Sequence, residues 1–186
     1  KIAGQQVDMW NNSTTSLRAY NNLDNFFQTG FSTTQNINFQ QAVSDKVNLY
    51  SSATYLHDNS KTPGMKLNRL NLINRVNAKF GQNNQWTTDV KLQYMKNMAY
   101  NRAVGGQNDG NYYSQILLFP RSLDITQFEP GMDVLGANQT WYLEDSGMNP
   151  YWAVNNKLSS DSRDRYLMNA TVKYDLNGGE LLPGDT

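Results

Sequence analysis

Three stretches of the chain alternate between apolar and polar residues with a period of two. They are residues 67–80, 85–100 and 164–176. Successive side chains of a β-strand point to opposite faces, so this period predicts three strands, each with one apolar and one polar face. In the second stretch the apolar face carries Trp86, Val90, Leu92, Tyr94 and Met98.

The length of these strands favours a membrane over a soluble sandwich. Strands of globular proteins have about 5 to 6 residues, whereas a tilted membrane strand needs roughly 9 to 11. Trp86 and Tyr94 are eight residues apart on one apolar face, as are Tyr166 and Tyr174. Eight residues of a tilted strand rise roughly 20 Å, close to the distance between the aromatic girdles of an outer-membrane barrel. Lys96, the charge on that face, is predicted at the outer boundary, where its amine reaches the headgroups.

The remaining segments predict an all-β, antiparallel, up-and-down order. Residues 1–30 are irregular with a helical turn around Leu23, Phe26 and Phe27, and residues 31–100 hold about four strands. A long extracellular loop is predicted at 101–163, a strand at 164–176, and a turn or tail at 177–186. Short turns belong to the periplasmic side and long loops to the outside.

The alternation also makes a prediction about register. If the odd-numbered residues of the strands at 67–80 and 85–100 face the lumen, any pair of residues across these two strands must have residue numbers whose sum is even. A pair with an odd sum would place Arg75 or Asp89 in lipid. In the strand predicted at 46–56, Tyr50 and Leu56 leave the assignment of the two faces ambiguous.

Composition excludes several classes of protein. The chain has no long apolar segment, so no helix is predicted to span a membrane. Sixteen basic residues balance sixteen acidic ones, which argues against nucleic acid as a partner. With no cysteine there are no disulfides or thiolate metal sites.

The residues for catalysis are not grouped in the sequence, and no enzyme activity, metal or cofactor is predicted. His57 is the only histidine and is interpreted as an ordinary loop residue. Asp161, Asp164 and Asp175 lie among basic residues, which favours ion pairs over an acid/base pair. The glycine-rich segment 105–111 lacks the spaced acids of a calcium loop and is interpreted as a turn.

Ligand binding is instead predicted in the long loop. Tyr112, Tyr113 and Trp141 lie among amide residues, and such rings stack on sugars or grip peptides. The alternative is that these aromatic residues pack the loop against itself and against a lid. That alternative is preferred for all of these residues, and more strongly for Leu117, Phe119 and the 149–152 motif Asn-Pro-Tyr-Trp.

Several segments carry a resemblance when taken in order: 24–30 (Asp-Asn-Phe-Phe-Gln-Thr-Gly), 50–56 (Tyr-Ser-Ser-Ala-Thr-Tyr-Leu), the Pro63-Gly64 loop end, the 149–152 motif and 163–174. Together they resemble the early barrel of SusC/RagA-type TonB-dependent transporters of Bacteroidetes. The resemblance covers 20–176. It implies an outer-membrane barrel of about 22 strands with an N-terminal plug. It also implies a SusD-like surface lipoprotein as a lid and energising by TonB.

The chain is much shorter than members of that family, and neither plug nor TonB box is recognised in it. It is therefore interpreted as a fragment of the barrel wall, completed by other polypeptide and surrounded by outer-membrane lipid. The predicted function is active import of an oligomeric nutrient, either oligosaccharide or peptide. Two alternatives remain open: a secreted carbohydrate-binding β-protein and a passive outer-membrane porin.

Overall fold

The computed structural model describes residues 3–9, 11–102, 111–143 and 147–176. Strands make up 49% of the structure and helices 16%, so the protein is mostly β, with two antiparallel sheets. No helix among the described residues is long and apolar enough to cross a membrane. The predicted tail 177–186 and most of the predicted turn at 105–111 lie outside these residues.

Five long strands form the larger sheet, in which neighbours along the chain are neighbours in space. Two residues join the first pair of strands, and a 3₁₀ turn, Gln82–Asn84, joins the third to the fourth. The strands are β3 (Phe31–Ser44), β4 (Val47–Asn59), β5 (Lys66–Phe80), β6 (Trp86–Tyr100) and β7 (Ser160–Tyr174).

The smaller elements precede the sheet or lie between β6 and β7. A two-stranded sheet pairs β1 (Gln6–Asp8) with β2 (Thr14–Ser16). The predicted helical turn is α1 (Asn22–Phe26). The segment between β6 and β7 contains α2 (Tyr112–Leu118), a 3₁₀ turn (Ile125–Phe128) and α3 (Pro150–Asn156).

The structure differs from the sequence prediction mainly in the segments assigned to loops. Residues 1–30 include a hairpin besides the predicted helical turn, and 101–163 include two helices. β7 begins at Ser160 instead of 164 because its first residues are polar and give no alternation, although their backbone can still join the ladder. β4 continues past the predicted loop start at His57 to Asn59.

The chain divides into two compact units. The helical unit comprises Lys1–Phe31, Asp58–Lys66 and Ala99–Ser160. The sheet unit comprises Ser32–His57, Leu67–Met98 and, among the described residues, 161–176.

The helical unit has a well-packed aromatic core. Asn149 is fully buried at its centre, where its side-chain amide donates to the carbonyls of Phe128 (2.8 Å) and Thr140 (2.6 Å). Its side-chain oxygen accepts from the amide of Tyr151 at 2.8 Å and so caps α3, with Pro150 at the first helical position. The buried apolar residues are Phe26, Tyr112, Ile116, Phe119, Leu123, Ile125, Phe128, Trp141, Met148, Tyr151, Ala153 and Val154.

The sheet unit has no such core. Among its described residues none is buried, and every residue of β7 is exposed. Large apolar side chains such as Leu92, Val172 and Tyr174 are exposed on it. The sheet unit is therefore a single layer within the described part of the chain.

Side-chain contacts across the strands fix the two faces. The contacts between β5 and β6 all join two odd-numbered or two even-numbered residues, so the register predicted for these strands is confirmed. The odd-numbered contacts are Arg75–Asp89, Arg69–Asn97 and Asn71–Gln93, and the even-numbered one is Phe80–Trp86.

The same reasoning extends the faces to the outer strands. Asn36 donates to Thr54 at 2.6 Å, and Ser51 donates to Asn74 at 2.7 Å. Since Asn74 is on the even face of β5, the even-numbered residues of β4 share the face of Arg75. Tyr50, ambiguous in the sequence, therefore lies on the polar face of the sheet.

Candidate functional site

The polar face of the sheet unit is the candidate functional site. We define it as the even-numbered residues of β3 and β4 and the odd-numbered residues of β5, β6 and β7. Its side chains are mostly amides, hydroxyls and charged groups, and several of them bond to one another across strands. Gln93 donates to Asn71 at 2.8 Å, and Arg69 donates to Asn97 at 2.7 Å.

One ion pair lies on this face. The Arg75 guanidinium holds the Asp89 carboxylate through two nitrogens, with Nε 2.8 Å from Oδ1 and a second contact from Nη2 to Oδ2. The Arg75 side chain is 55% exposed and that of Asp89 27% exposed. Exposed pairs of this kind contribute little to stability, so the pair does not explain the fold.

A groove of about 460 Å³ crosses the polar face from β3 to β6. Its volume lies in the range of small-molecule sites. It presents two cations, Arg75 and Lys91, among uncharged hydrogen-bonding groups. The remaining residues that line it are Gln40, Asn48, Leu49, Tyr50, Ile73 and Asn77, of which Leu49 belongs to the opposite face by its parity.

The opposite, apolar face carries aromatic residues in two rows. The Trp86 and Tyr174 ring centroids are 4.6 Å apart, and those of Tyr94 and Tyr166 are 5.0 Å apart. Phe80 stacks on Trp86 with a centroid distance of 6.1 Å. The four residues spaced eight apart in the sequence thus form two matched pairs at different heights on the sheet.

The three predicted ligand-binding aromatic residues lie in the helical unit. Tyr112 and Trp141 are 5% and 4% exposed, and their rings pack against Phe26 and Phe119. Both rings are enclosed in that core, and their role as ligand contacts stays a prediction. The structure supports the alternative that they pack the loop against itself.

Tyr113 is half-buried at the edge of the same core. Its ring stacks on Phe27 at 6.0 Å, and its hydroxyl lies 2.8 Å from the hydroxyl of Thr62. The ring contact joins the end of α1 to α2, and the hydroxyl contact joins 58–66 to α2, both within the helical unit. Its role in ligand binding stays a prediction.

The described residues contain no group of three or more acidic, histidine or cysteine side chains that could hold a metal ion. His57 lies within 2.7 Å of the side-chain oxygen of Asn68 on the neighbouring strand. Asp164 accepts from the Tyr94 hydroxyl at 2.6 Å. These are cross-strand contacts within the sheet, and they bring no nucleophile and base together.

Sequence reasoning did not single out the groove residues. Each of them looks ordinary within its own strand, and only the register brings four strands' side chains into one groove. A sum of charges by face, taken over all predicted strands, could have indicated the site. No protein-family model matches the sequence, and no curated protein matches it significantly.

Proposed function

We propose that this chain is a wall segment of an outer-membrane active transporter that imports oligomeric nutrients. The sheet is proposed to face lipid with its apolar side and a water-filled lumen with its polar side. The observation that carries the proposal is a sheet with two chemically opposite faces and no buried residue in its described part. A single layer of this kind needs an apolar solvent on one side and water on the other.

Strand length and aromatic placement support the same proposal. The four strands β3, β5, β6 and β7 have 14 or 15 residues, and β4 has 13. Each exceeds the roughly 9 to 11 residues that a tilted strand needs to cross the hydrocarbon. The two aromatic pairs are suited to the two membrane–water interfaces, because a Tyr or Trp side chain has an apolar ring and a polar group.

The edges of the sheet support completion by further strands. β3 and β7 end the strand order, and each has one hydrogen-bonded neighbour in the described part of the chain. A free edge cannot face lipid, because its backbone groups have no water to bond there. We propose that strands of the remaining polypeptide continue the sheet into a closed barrel of about 22 strands.

The transport step is proposed to be conformational. By the family resemblance, a SusD-like lipoprotein closes over the outer mouth, the ligand shifts the populations of lid and plug, and TonB moves the plug. The segment 101–163 is proposed to be extracellular. No covalent bond is made or broken by the residues described.

Introduced cysteines test which solvent each face meets, because the chain contains no cysteine of its own. In the full-length protein in native outer membrane, Leu92→Cys and Gln93→Cys carry the same environment-sensitive fluorophore. We expect nitroxide-labelled lipid to quench the probe at position 92, and aqueous iodide to quench the one at 93. Quenching of both by iodide alone would contradict a lipid-facing wall and favour a soluble carbohydrate-binding protein.

Energy dependence separates active import from a passive porin. Uptake of the nutrient by cells that express the full-length protein should stop when the proton gradient is collapsed. Uptake that continues unchanged after collapse would favour the porin and contradict TonB energisation.

A further inference from the structure

The polar face has a marked excess of positive charge, although the whole chain has equal numbers of basic and acidic residues. Over the five strands, seven basic and three acidic side chains lie on this face, a difference of four positive charges. The opposite face carries two basic residues, Lys66 and Lys96, and one acidic residue, Asp164. The basic set of the polar face is Arg69, Arg75, Lys79, Lys91, Arg163, Arg165 and Lys173, and the acidic set is Asp58, Asp89 and Asp161.

The groove concentrates this charge where a ligand could lie. Its lining includes Arg75 and Lys91 but no carboxylate. Part of the hydrogen-bonding capacity of the Arg75 guanidinium is already used by Asp89. Lys91 forms no ion pair among the described residues, so its ammonium is available to an incoming anion.

We propose that this groove binds an acidic oligosaccharide, a chain of sugars that bear carboxylate or sulfate groups. The inference rests on the proposed function, and it names the substrate class of the same polar face. Lys91 binds the acidic group through a charge-assisted hydrogen bond, and Arg75 adds attraction from β5. Cationic side chains along a lumen also raise the local concentration of anions, as in anion-selective pores.

The uncharged lining suits sugar hydroxyls. Gln40, Asn48 and Asn77 each offer an amide donor and an amide acceptor on the groove, and Tyr50 offers a ring and a hydroxyl. A hydroxyl-rich chain needs alternating donors and acceptors of this type. The groove therefore combines neutral hydrogen bonding with charge recognition.

The position of the groove favours sugar over peptide. Extended peptides bind mainly by adding a strand to a sheet edge, where backbone groups are free. The groove lies over β3 to β6, and β4 and β5 each have hydrogen-bonded neighbours on both sides. Only side chains are offered there, which suits a ligand that has hydroxyls and acidic groups instead of a regular amide backbone.

Calorimetric titration of the full-length protein in detergent tests the inference with three hexamers. The probes are hexagalacturonate, the neutral hexamer maltohexaose, and hexaglutamate. We expect hexagalacturonate to bind at least about tenfold more tightly than either of the others, and its affinity to fall as salt is added.

Two matched variants on β6 locate the effect. Lys91→Gln should weaken hexagalacturonate binding about tenfold, because one charged hydrogen bond is lost. Lys96→Gln removes the same charge from the opposite face of the same strand and should leave binding unchanged. Lys91→Arg keeps the charge and should retain most of the affinity, which shows that binding depends on a positive charge at position 91.

The outcomes separate the inference from the proposed function. Equal binding of hexagalacturonate and maltohexaose, or no effect of Lys91→Gln, would overturn the acidic class. Binding of hexaglutamate with the same dependence on position 91 would overturn the assignment to sugars. If the protein passes the cysteine test yet binds no hexagalacturonate, the inference fails alone; if it fails the cysteine test, the transporter proposal fails.

Discussion

The two units of this protein use the same aromatic residue types in opposite ways. In the helical unit, Phe119 and Trp141 pack 5.2 Å apart and both are buried. In the sheet unit, Trp86 and Tyr174 approach even more closely, at 4.6 Å, yet both remain exposed. Close ring contact is thus no sign of a core. What differs is whether other protein layers surround the rings.

The amide side chains show the same contrast. Asn149 is enclosed, and its side chain bonds three backbone groups. The asparagines of the sheet instead bond side chains across strands in exposed positions, as Asn36 does with Thr54. A buried amide must satisfy all its hydrogen bonds within the protein, whereas an exposed amide can share them with water or a ligand. The helical unit is built for internal stability and the sheet for contact with its surroundings.

The largest expected effect is the loss of a core ring in the helical unit. Phe128 is 1% exposed, so Phe128→Ala should destabilise this unit by about 3–5 kcal/mol through lost burial and a cavity. Amide hydrogen exchange over α2 and α3 measures this loss of stability. Tyr166→Ala, at a residue 77% exposed, is the control and should leave that exchange unchanged. Equal protection in the Phe128 variant would contradict the packed core.

An arginine introduced on either face of the sheet tests how the two faces differ. Ala170 lies midway between Tyr166 and Tyr174, so on the proposed function it is near the centre of the membrane. Ala170→Arg should cost about 2–4 kcal/mol in folding into lipid vesicles. Thr171→Arg adds the same charge to the polar face and should cost much less. Equal costs measured by reversible denaturation in vesicles would count against a lipid-facing side.

A glycine pair tests how tightly the helical unit is packed. A Cβ on Gly131 would lie 2.4 Å from the Trp152 backbone nitrogen, whereas a Cβ on Gly136 would meet nothing within 4 Å. Both have positive φ, 96° and 70°, so both alanine variants carry similar backbone strain. Gly131→Ala should cost about 1–3 kcal/mol more than Gly136→Ala in thermal unfolding. Similar melting temperatures would show that Trp152 can move.

The smallest effect is a pH dependence confined to the helical unit. Burial, with the nearby Glu129 and Asp124 carboxylates, raises the pKa of Tyr151 to about 12 from its ordinary value near 10. The folded state therefore holds the phenol proton more tightly than the unfolded chain. The resulting stability is full below pH 10 and is lost as the pH rises from 10 towards 12.

Hydrogen exchange of α3, corrected for the intrinsic rate at each pH, measures this loss. Tyr151→Phe removes one titrating group and should reduce the dependence between pH 10 and 12, whereas Tyr112 and Tyr142, whose pKa values burial also raises, keep the rest. A variant that keeps the full dependence would assign it to another residue of the unit.

The sequence alone determined the strands and their two faces, because a period of two translates directly into opposite sides of a pleated ribbon. It predicted four strands between 31 and 100, the parity of β5 and β6, and the matched spacing of Trp86 and Tyr94 with Tyr166 and Tyr174. These features depend on neighbours along one strand. They need no knowledge of distant contacts.

Only the tertiary structure showed how the long segment between β6 and β7 packs and which residues line the groove. Tyr112 and Trp141 look like exposed loop aromatics in the sequence, but residues far apart in the chain enclose them in a core. Tyr50 joins Arg75 and Lys91 only through the register of three strands. A local pattern fixes which way a side chain points, whereas what it meets depends on packing between segments that the pattern does not relate.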